Sequence, residues 1–213
     1  MIDGLNKTIL VLSYGRSGSM LLTHNIGRSM GALPVTVSAG HDNNFLKTYK
    51  LTSPIQSPGS HTVDDISNFT CLFNFRKDPT NTILSMMLAN HFNLYHIWKN
   101  QSVELTPFRF DDWSIIDTYC QRYIDWCSHY TPMLNSTQWI VYYENYVAKL
   151  PDETIYQQTF PSKSSLITNY HEVQDYVLDF KDRMLLAQAP FARLPTYKFK
   201  SSAIKTLDTK NTP

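Results

Sequence analysis

Two short stretches of this sequence gather residue types that bind anions. The first is Ser13-Tyr14-Gly15-Arg16-Ser17-Gly18-Ser19-Met20-Leu21-Leu22. It follows the apolar run Thr8–Ser13 and leads into Leu22, Ile26 and Met30, which recur every four residues as on a helix. A loop between a buried strand and a helix aims backbone N–H groups at one point, and the helix N-terminus favours negative charge there. Gly15 and Gly18 permit the tight turn, Arg16 adds a fixed positive charge, and Ser17 and Ser19 add hydroxyl donors. Such a set suits phosphate or sulfate. It is not a Walker A loop: the closing Gly-Lys-Ser/Thr is missing, and with it the hydroxyl that would meet Mg²⁺. The second stretch is Phe73-Asn74-Phe75-Arg76-Lys77-Asp78-Pro79, where two cations stand between a strand and a helix start. There Asp78 reads as the N-cap and Pro79 as the first helical residue.

The elements around these stretches read as alternating strands and helices. Thr8–Ser13 has the continuous apolar run of a strand covered on both faces. The helix after it runs to about Gly31. A second β region lies between Pro34 and Leu51, with Val35 and Val37 alternating, and residues 52–69, rich in Ser, Pro, Gly and Asp, read as a loop. Thr70–Phe75 is the next buried strand, and its following helix should reach roughly Lys99. Asp111 or Asp112 caps a long helix on which Ile116, Tyr119, Tyr123, Trp126, Tyr130 and Leu134 form one core-facing stripe. Gln138–Tyr142 is a strand. Ser165 to about Gln188 is a further helix, with Leu166, Tyr170, Val173, Val177, Phe180 and Met184 on its apolar side. The expected fold is α/β: three layers, a mostly parallel central sheet flanked by helices, with ligands at the carboxyl ends of the strands.

Composition narrows the function classes. With 213 residues, 42% of them hydrophobic and 13% aromatic, the chain suits a single domain over 1–213 with a real core, and excludes disordered or collagen-like chains. A net charge of +1 argues against a surface built for nucleic acid. Residues 190–213 hold five of the 19 cations (Arg193, Lys198, Lys200, Lys205, Lys210) and one of the 18 acids, so this tail carries +4 and the body −3. Cys71, Cys120 and Cys127 show no metal spacing and read as reduced, half-buried thiols. No signal peptide is read near Asp3 and Asn6, and no stretch approaches the ~18 apolar residues of a spanning helix. The expectation is a cytoplasmic protein that engages neither membrane nor nucleic acid.

On these motifs the chain resembles the superfamily of sulfotransferases that use 3′-phosphoadenylyl sulfate (PAPS). The family's 5′-phosphosulfate loop, Lys/Arg-Ser-Gly-Ser/Thr followed by Thr or Met and Leu or Trp, is matched by Arg16-Ser17-Gly18-Ser19-Met20-Leu21. The family also carries a basic residue at a strand end, often as Arg-Asp-Pro, and a serine eight positions later that together hold the 3′-phosphate. Ser85 stands eight after Lys77, while the arginine is Arg76, so Lys77 fits by register and Arg76 by residue type. A dianionic phosphate needs a cation and a hydroxyl at one place, which a strand end opposite a helix start can supply. Trp139-Ile140-Val141-Tyr142-Tyr143-Glu144-Asn145-Tyr146 is similar to the family's late strand and Tyr-Glu-Asp-Leu turn, a structural feature. The basic tail sits where the family places a segment closing over the cofactor. The familiar Arg-Lys-Gly is absent, and Lys198 and Lys200 stand in by chemistry. The likeness spans about residues 5–150.

The resemblance implies a P-loop-NTPase-like fold and transfer of the sulfuryl group from PAPS to a hydroxyl or amine, releasing adenosine 3′,5′-bisphosphate (PAP), with no metal. It implies Gly15, Arg16, Ser17, Gly18, Ser19 and Met20 around the phosphosulfate, with Arg16 neutralising the leaving oxygen. The acceptor must lose a proton, and families use a His or Glu after the first helix or second strand. His41, in Ser38-Ala39-Gly40-His41-Asp42, is the candidate base; His24, His61 or a carboxylate are the others. Phe45-Leu46-Lys47-Thr48-Tyr49 resembles the Lys-Thr-His strand of cytosolic members, with Tyr49 in place of the histidine. The acceptor, a small molecule or carbohydrate, and the oligomeric state are not legible. Two other readings stay open: a P-loop kinase or nucleotide hydrolase, and a non-catalytic PAP-binding module.

Overall fold

A computed structural model of the protein describes residues 9–15, 22, 55–57, 66, 67, 69–94, 103–147 and 162–197. Four strands there, β1 (Ile9–Ser13), β2 (Ile55–Ser57), β3 (Thr70–Phe75) and β4 (Trp139–Tyr142), form one sheet in the order β2-β1-β3-β4. Every pairing in it is parallel. Parallel sheets are covered on both faces, and these strands are apolar to match. Leu10, Val11 and Leu12 have no exposed surface, and all six residues of β3 are buried. Successive side chains alternate between two cores. Leu10, Leu12, Cys71, Phe73, Phe75 and Ile140 enter the larger one; Val11, Leu72 and Val141 enter the smaller, with Leu22 and Tyr146. The fold is therefore mixed α/β on a parallel sheet.

The helices are α1 (Thr80–His91), α2 (Trp113–Tyr130), α3 (Tyr143–Val147), α4 (Lys163–Leu166), α5 (Tyr170–Leu178) and α6 (Lys181–Gln188). Helix α2 buries Ile116, Cys120, Tyr123, Trp126, Cys127 and Tyr130; of the expected stripe Tyr119 is only half-buried and Leu134 lies beyond the helix end, while two cysteines fill the centre. Its aromatic rings meet those of the sheet: Trp126 lies 5.7 Å from Phe75 and Tyr130 5.6 Å from Phe73, centre to centre. Edge-to-face contacts of this kind add to the area they bury.

Three further expectations differ from the structure, and the tail shows order on which the sequence was silent. The helix predicted to reach Lys99 stops at His91, because Asn93 takes a left-handed backbone (φ 49°). The Leu94 N–H then donates to the Ala89 carbonyl (2.8 Å) and the Asn93 N–H to that of Asn90 (3.2 Å), a Schellman closure. Within the predicted loop 52–69, Ile55–Ser57 is a strand paired with β1. Prolines 54 and 58 bracket it, and proline is tolerated at strand ends and sheet margins. The single helix predicted for 165–188 is three helices. Phe108 forms a bridge with Ile167, and the Asn169 amide accepts from the Phe110 N–H (2.9 Å) and donates to its carbonyl (2.8 Å). Those bonds hold 166–169 out of helical register. Lastly, the tail begins as structure: Phe191 is fully buried, and 195–197 run parallel to β4, bonded to Ile140 on both sides. The β region predicted between Pro34 and Leu51 and the first helix beyond Leu22 lie outside the described residues.

Among the described residues no helix is long and apolar enough to cross a membrane. Cys71, Cys120 and Cys127 are thiols and fully buried, more deeply than expected. Burial pushes the Cys120 thiol up to about 12 and that of Cys127 up as well. Since the thiolate is the reactive form, none of the three should react with a thiol reagent at pH 8 until denaturant is added. Rapid native labelling of even one would contradict this packing.

Candidate anion-binding site

Strand β1 pairs with β3 in the register Ser13↔Asn74. Both strands run the same way, so Tyr14-Gly15 and Phe75-Arg76 leave the sheet side by side at its carboxyl edge. Strand β2 lies on one side of β1 and β3-β4 on the other, which makes this a point where the strand order reverses. Open α/β sheets bind ligands at such points. Two segments about 60 residues apart in sequence thus meet.

The β1 exit is anchored by Tyr14. Its buried ring packs edge-on against Tyr123 at 5.3 Å, and its hydroxyl donates to the Tyr119 carbonyl at 3.1 Å. Burial drives that phenol above its ordinary range, so it stays neutral and acts as an anchor. Gly15 follows as a half-buried turn. Arg16, Ser17, Gly18, Ser19 and Met20 lie outside the described residues, as do His24, His41, His61, Lys198 and Lys200.

At the β3 exit the structure separates the two candidate cations. Arg76 is half-buried, its guanidinium 4.5 Å from the centre of the Tyr143 ring. Lys77 is exposed, and its backbone N–H donates to Glu144 Oε2 at 3.1 Å. The β4–α3 turn therefore braces this corner, with Tyr143 under the arginine and Glu144 holding the next amide. Tyr146 adds a buried contact, its hydroxyl accepting from Asn74 Nδ2 at 3.4 Å.

Helix α1 begins just beyond. Asp78 Oδ1 accepts from the Thr80 N–H (3.1 Å) and hydroxyl (2.8 Å), while the Asp78 carbonyl accepts from the Asn81 N–H (3.2 Å). Asp78 thus caps the helix as expected, although regular helix starts at Thr80, one residue after Pro79. The Thr82 N–H goes to the Pro79 carbonyl at 2.9 Å. With its first amides bonded internally, α1 offers an anion little backbone, and side chains must carry recognition. Ser85 is half-buried one turn after Asn81, its hydroxyl donating to the Asn81 carbonyl at 2.7 Å. To serve a phosphate that hydroxyl must rotate.

Two lysines missing from the sequence reading complete the cluster. Lys163 Nζ, on α4, donates to Asn81 Oδ1 at 2.8 Å, and Lys181 Nζ, on α6, pairs with Asp78 Oδ2 at 3.4 Å. Burial and the nearby Arg76 charge lower the Lys163 ammonium from 10.5 to about 8, against an opposing pull from Asp78. Lys163 from α4 and Lys181 from α6 thus meet the start of α1 at Asn81 and Asp78, the latter two residues after Arg76. Nothing in the local sequence around Lys163 or Lys181 marks them, because their partners lie 82 and 103 residues away. Among the described residues no group of three His, Cys, Asp or Glu gathers as a metal site would require. No protein-family model matches the chain, and no curated protein matches it.

Proposed function

We propose that the protein is a PAPS-dependent sulfotransferase on a three-layer, P-loop-like α/β fold. The observation that carries this reading is the parallel β1–β3 pairing, which sets the start of the Gly15–Met20 loop beside Arg76 at a strand-order reversal. The two motifs that resemble the family's phosphosulfate and 3′-phosphate sites need that proximity, since one cofactor must touch both. In this reading Gly15–Met20 hold the 5′-phosphosulfate, and Arg76, with Lys77 and Ser85, holds the 3′-phosphate. The half-buried Arg76, stacked on Tyr143, is the better-oriented of the two cations, and a planar guanidinium matches two phosphate oxygens at once.

The acceptor side stays with the sequence: His41 is the proposed base, and the acceptor is a small molecule or carbohydrate hydroxyl or amine. Lys198 and Lys200 follow Tyr197, where the described chain runs parallel to β4 towards the sheet's carboxyl edge. A role for that segment over the cofactor belongs to the same proposal.

Thermal unfolding with added nucleotide tests it. At ~100 times its dissociation constant PAP contributes about 2.7 kcal/mol, which raises the midpoint by about 5–10 °C in a domain of this size. PAP is expected to stabilise and AMP, which lacks the 3′-phosphate, is not. Stabilisation by Mg-ATP in place of PAP would support a kinase or hydrolase, and no shift with any of them would overturn nucleotide binding here.

A further inference from the structure

We infer that the outward face of α6 and of the turn after it, from Asp182 to Arg193, is the contact surface of a homodimer in which two copies of the chain pack these segments antiparallel about a two-fold axis. The inference is independent of the proposed function and of the anion site.

A 3₁₀ turn, Ala189–Arg193, continues α6 directly. Met184, Gln188, Phe191 and Leu194 are buried, and they recur at four, three and three residues, the spacing of one helix face. Asp182, Leu186, Ala189 and Ala192 keep the same spacing two residues earlier, which puts them on the opposite side, and all four are exposed. Leu186 is 76% exposed, well above the other exposed large apolar side chains of the described residues, and Leu185 beside it is 37% exposed. One bare leucine is ordinary on a protein surface. Here, however, no residue from Met184 to Ala192 carries a charge, so the solvent side of this segment is as apolar as its core side. A continuous apolar line on the outside of a helix marks a contact surface.

The charges at its two ends say what covers it. Lys181 pairs with Asp78, and the Arg183 guanidinium donates to Gln121 Oε1 at 3.0 Å. Asp182 and Arg193 are exposed at opposite ends of the line, and neither forms an ion pair among the described residues, where the paired acids are Asp78, Asp111 and Glu172. Arg193 Nε donates to the Pro190 carbonyl at 3.2 Å, which holds the guanidinium on its own turn. A partner of one charge sign would meet repulsion at one end. A second copy turned through a half-rotation meets attraction at both, since Asp182 of each copy faces Arg193 of the other. Such self-complementary contacts are the commonest way for identical chains to pair.

The same rotation settles the middle of the contact. The dyad falls between Leu186 and Ala189, so each leucine lies over the other copy's alanine, and the small side chains let the two helix axes approach to about 8–10 Å. The contact is short, roughly 19 Å from Asp182 to Arg193 at the rise of α and 3₁₀ helices. It covers less than the ~800 Å² per partner of a standard stable interface, so the dimer is a weak one, with a dissociation constant of about 10–100 µM.

Sedimentation velocity of the full chain over about 1–300 µM tests this, and wild type should pass from monomer to dimer across that range. Leu186→Glu should stay monomeric throughout. At about 1 µM, where wild type is monomeric too, it should unfold at nearly the wild-type midpoint, which separates loss of association from loss of fold. Asp182→Lys and Arg193→Glu each turn both end attractions into repulsions and should weaken association about tenfold. The double variant Asp182→Lys/Arg193→Glu restores opposite charges and should dimerise within about threefold of wild type. Wild type that stays monomeric at the highest concentration overturns the inference, and so does a dimer that Leu186→Glu leaves intact. Single charge variants that associate as wild type does, or a double variant that fails to recover, overturn the antiparallel pairing.

Discussion

Replacing Trp126 with alanine is expected to destabilise the fold by about 3–5 kcal/mol, a large part of the roughly 5–15 kcal/mol that holds a domain together. Trp126 is 2% exposed and sits where α2 meets the sheet. Its ring contacts Phe73 and Phe75 of β3, Tyr14 at the β1 exit, Tyr130 one turn along α2, and Phe191 from the chain's late turn. These five rings come from four separate stretches, and each is itself packed, so they cannot simply close over the space left behind. Chemical denaturation would show a lower midpoint with an unchanged slope. Leu186→Ala is the control: that side chain is 76% exposed, and its removal should change stability by no more than about 0.5 kcal/mol. A loss below about 1.5 kcal/mol at Trp126 would mean that the core does not converge there.

That core was legible in the sequence, for a physical reason. Ile116, Tyr119, Tyr123, Trp126 and Tyr130 recur at three to four residues, and only a helix turns such spacing into one face; all but the half-buried Tyr119 are buried. Thr70–Phe75 was legible with its observed ends, since the apolar Cys71-Leu72-Phe73 and Phe75, interrupted by Asn74 alone, suit a strand buried on both sides. What escaped were features decided at a distance. The helix predicted for 165–188 has the periodicity of one helix, and it is interrupted because Phe108 and Phe110 claim the backbone and side chain of 166–169 from about 60 residues away. The early end of α1 depended on one asparagine accepting a left-handed backbone, a weak local signal beside the apolar residues that follow it.

The site divides along the same line. The strand-end cations and the Asp78 cap could be read because each rests on neighbours in sequence. The different surroundings of Arg76 and Lys77 could not, since they come from Tyr143 and Glu144 just beyond β4. The placing of Lys163 was invisible for the same reason, its partner Asn81 lying 82 residues away.

Under the proposed function the largest effect on activity is expected at Arg16, which lies outside the described residues and directly follows Gly15 in sequence. In sulfuryl transfer the bond from sulfur to the bridging phosphate oxygen breaks, and negative charge grows on that oxygen as the acceptor oxygen or nitrogen bonds to sulfur. A cation placed at the leaving oxygen stabilises the transition state more than the bound cofactor, so its removal should act on kcat. Arg16→Ala should therefore lower transfer from PAPS by about 10³-fold or more, judged from the 10²–10³ that a single neutral donor contributes at a developing oxyanion. The thermal shift with PAP should shrink but remain, because in the proposed reading Arg76 still holds the 3′-phosphate and the rest of Gly15–Met20 still meets the 5′-phosphate that PAP shares with PAPS. That pairing separates a catalytic role from loss of the fold or of the cofactor site. His41→Ala tests the other half of the step: loss of turnover with retained PAP binding supports it as the base, while full activity moves the base to His24, His61 or a carboxylate. Turnover at wild-type rate by Arg16→Ala would remove the catalytic assignment, and the Gly15–Met20 loop would then stand as a binding element whose chemistry is supplied elsewhere.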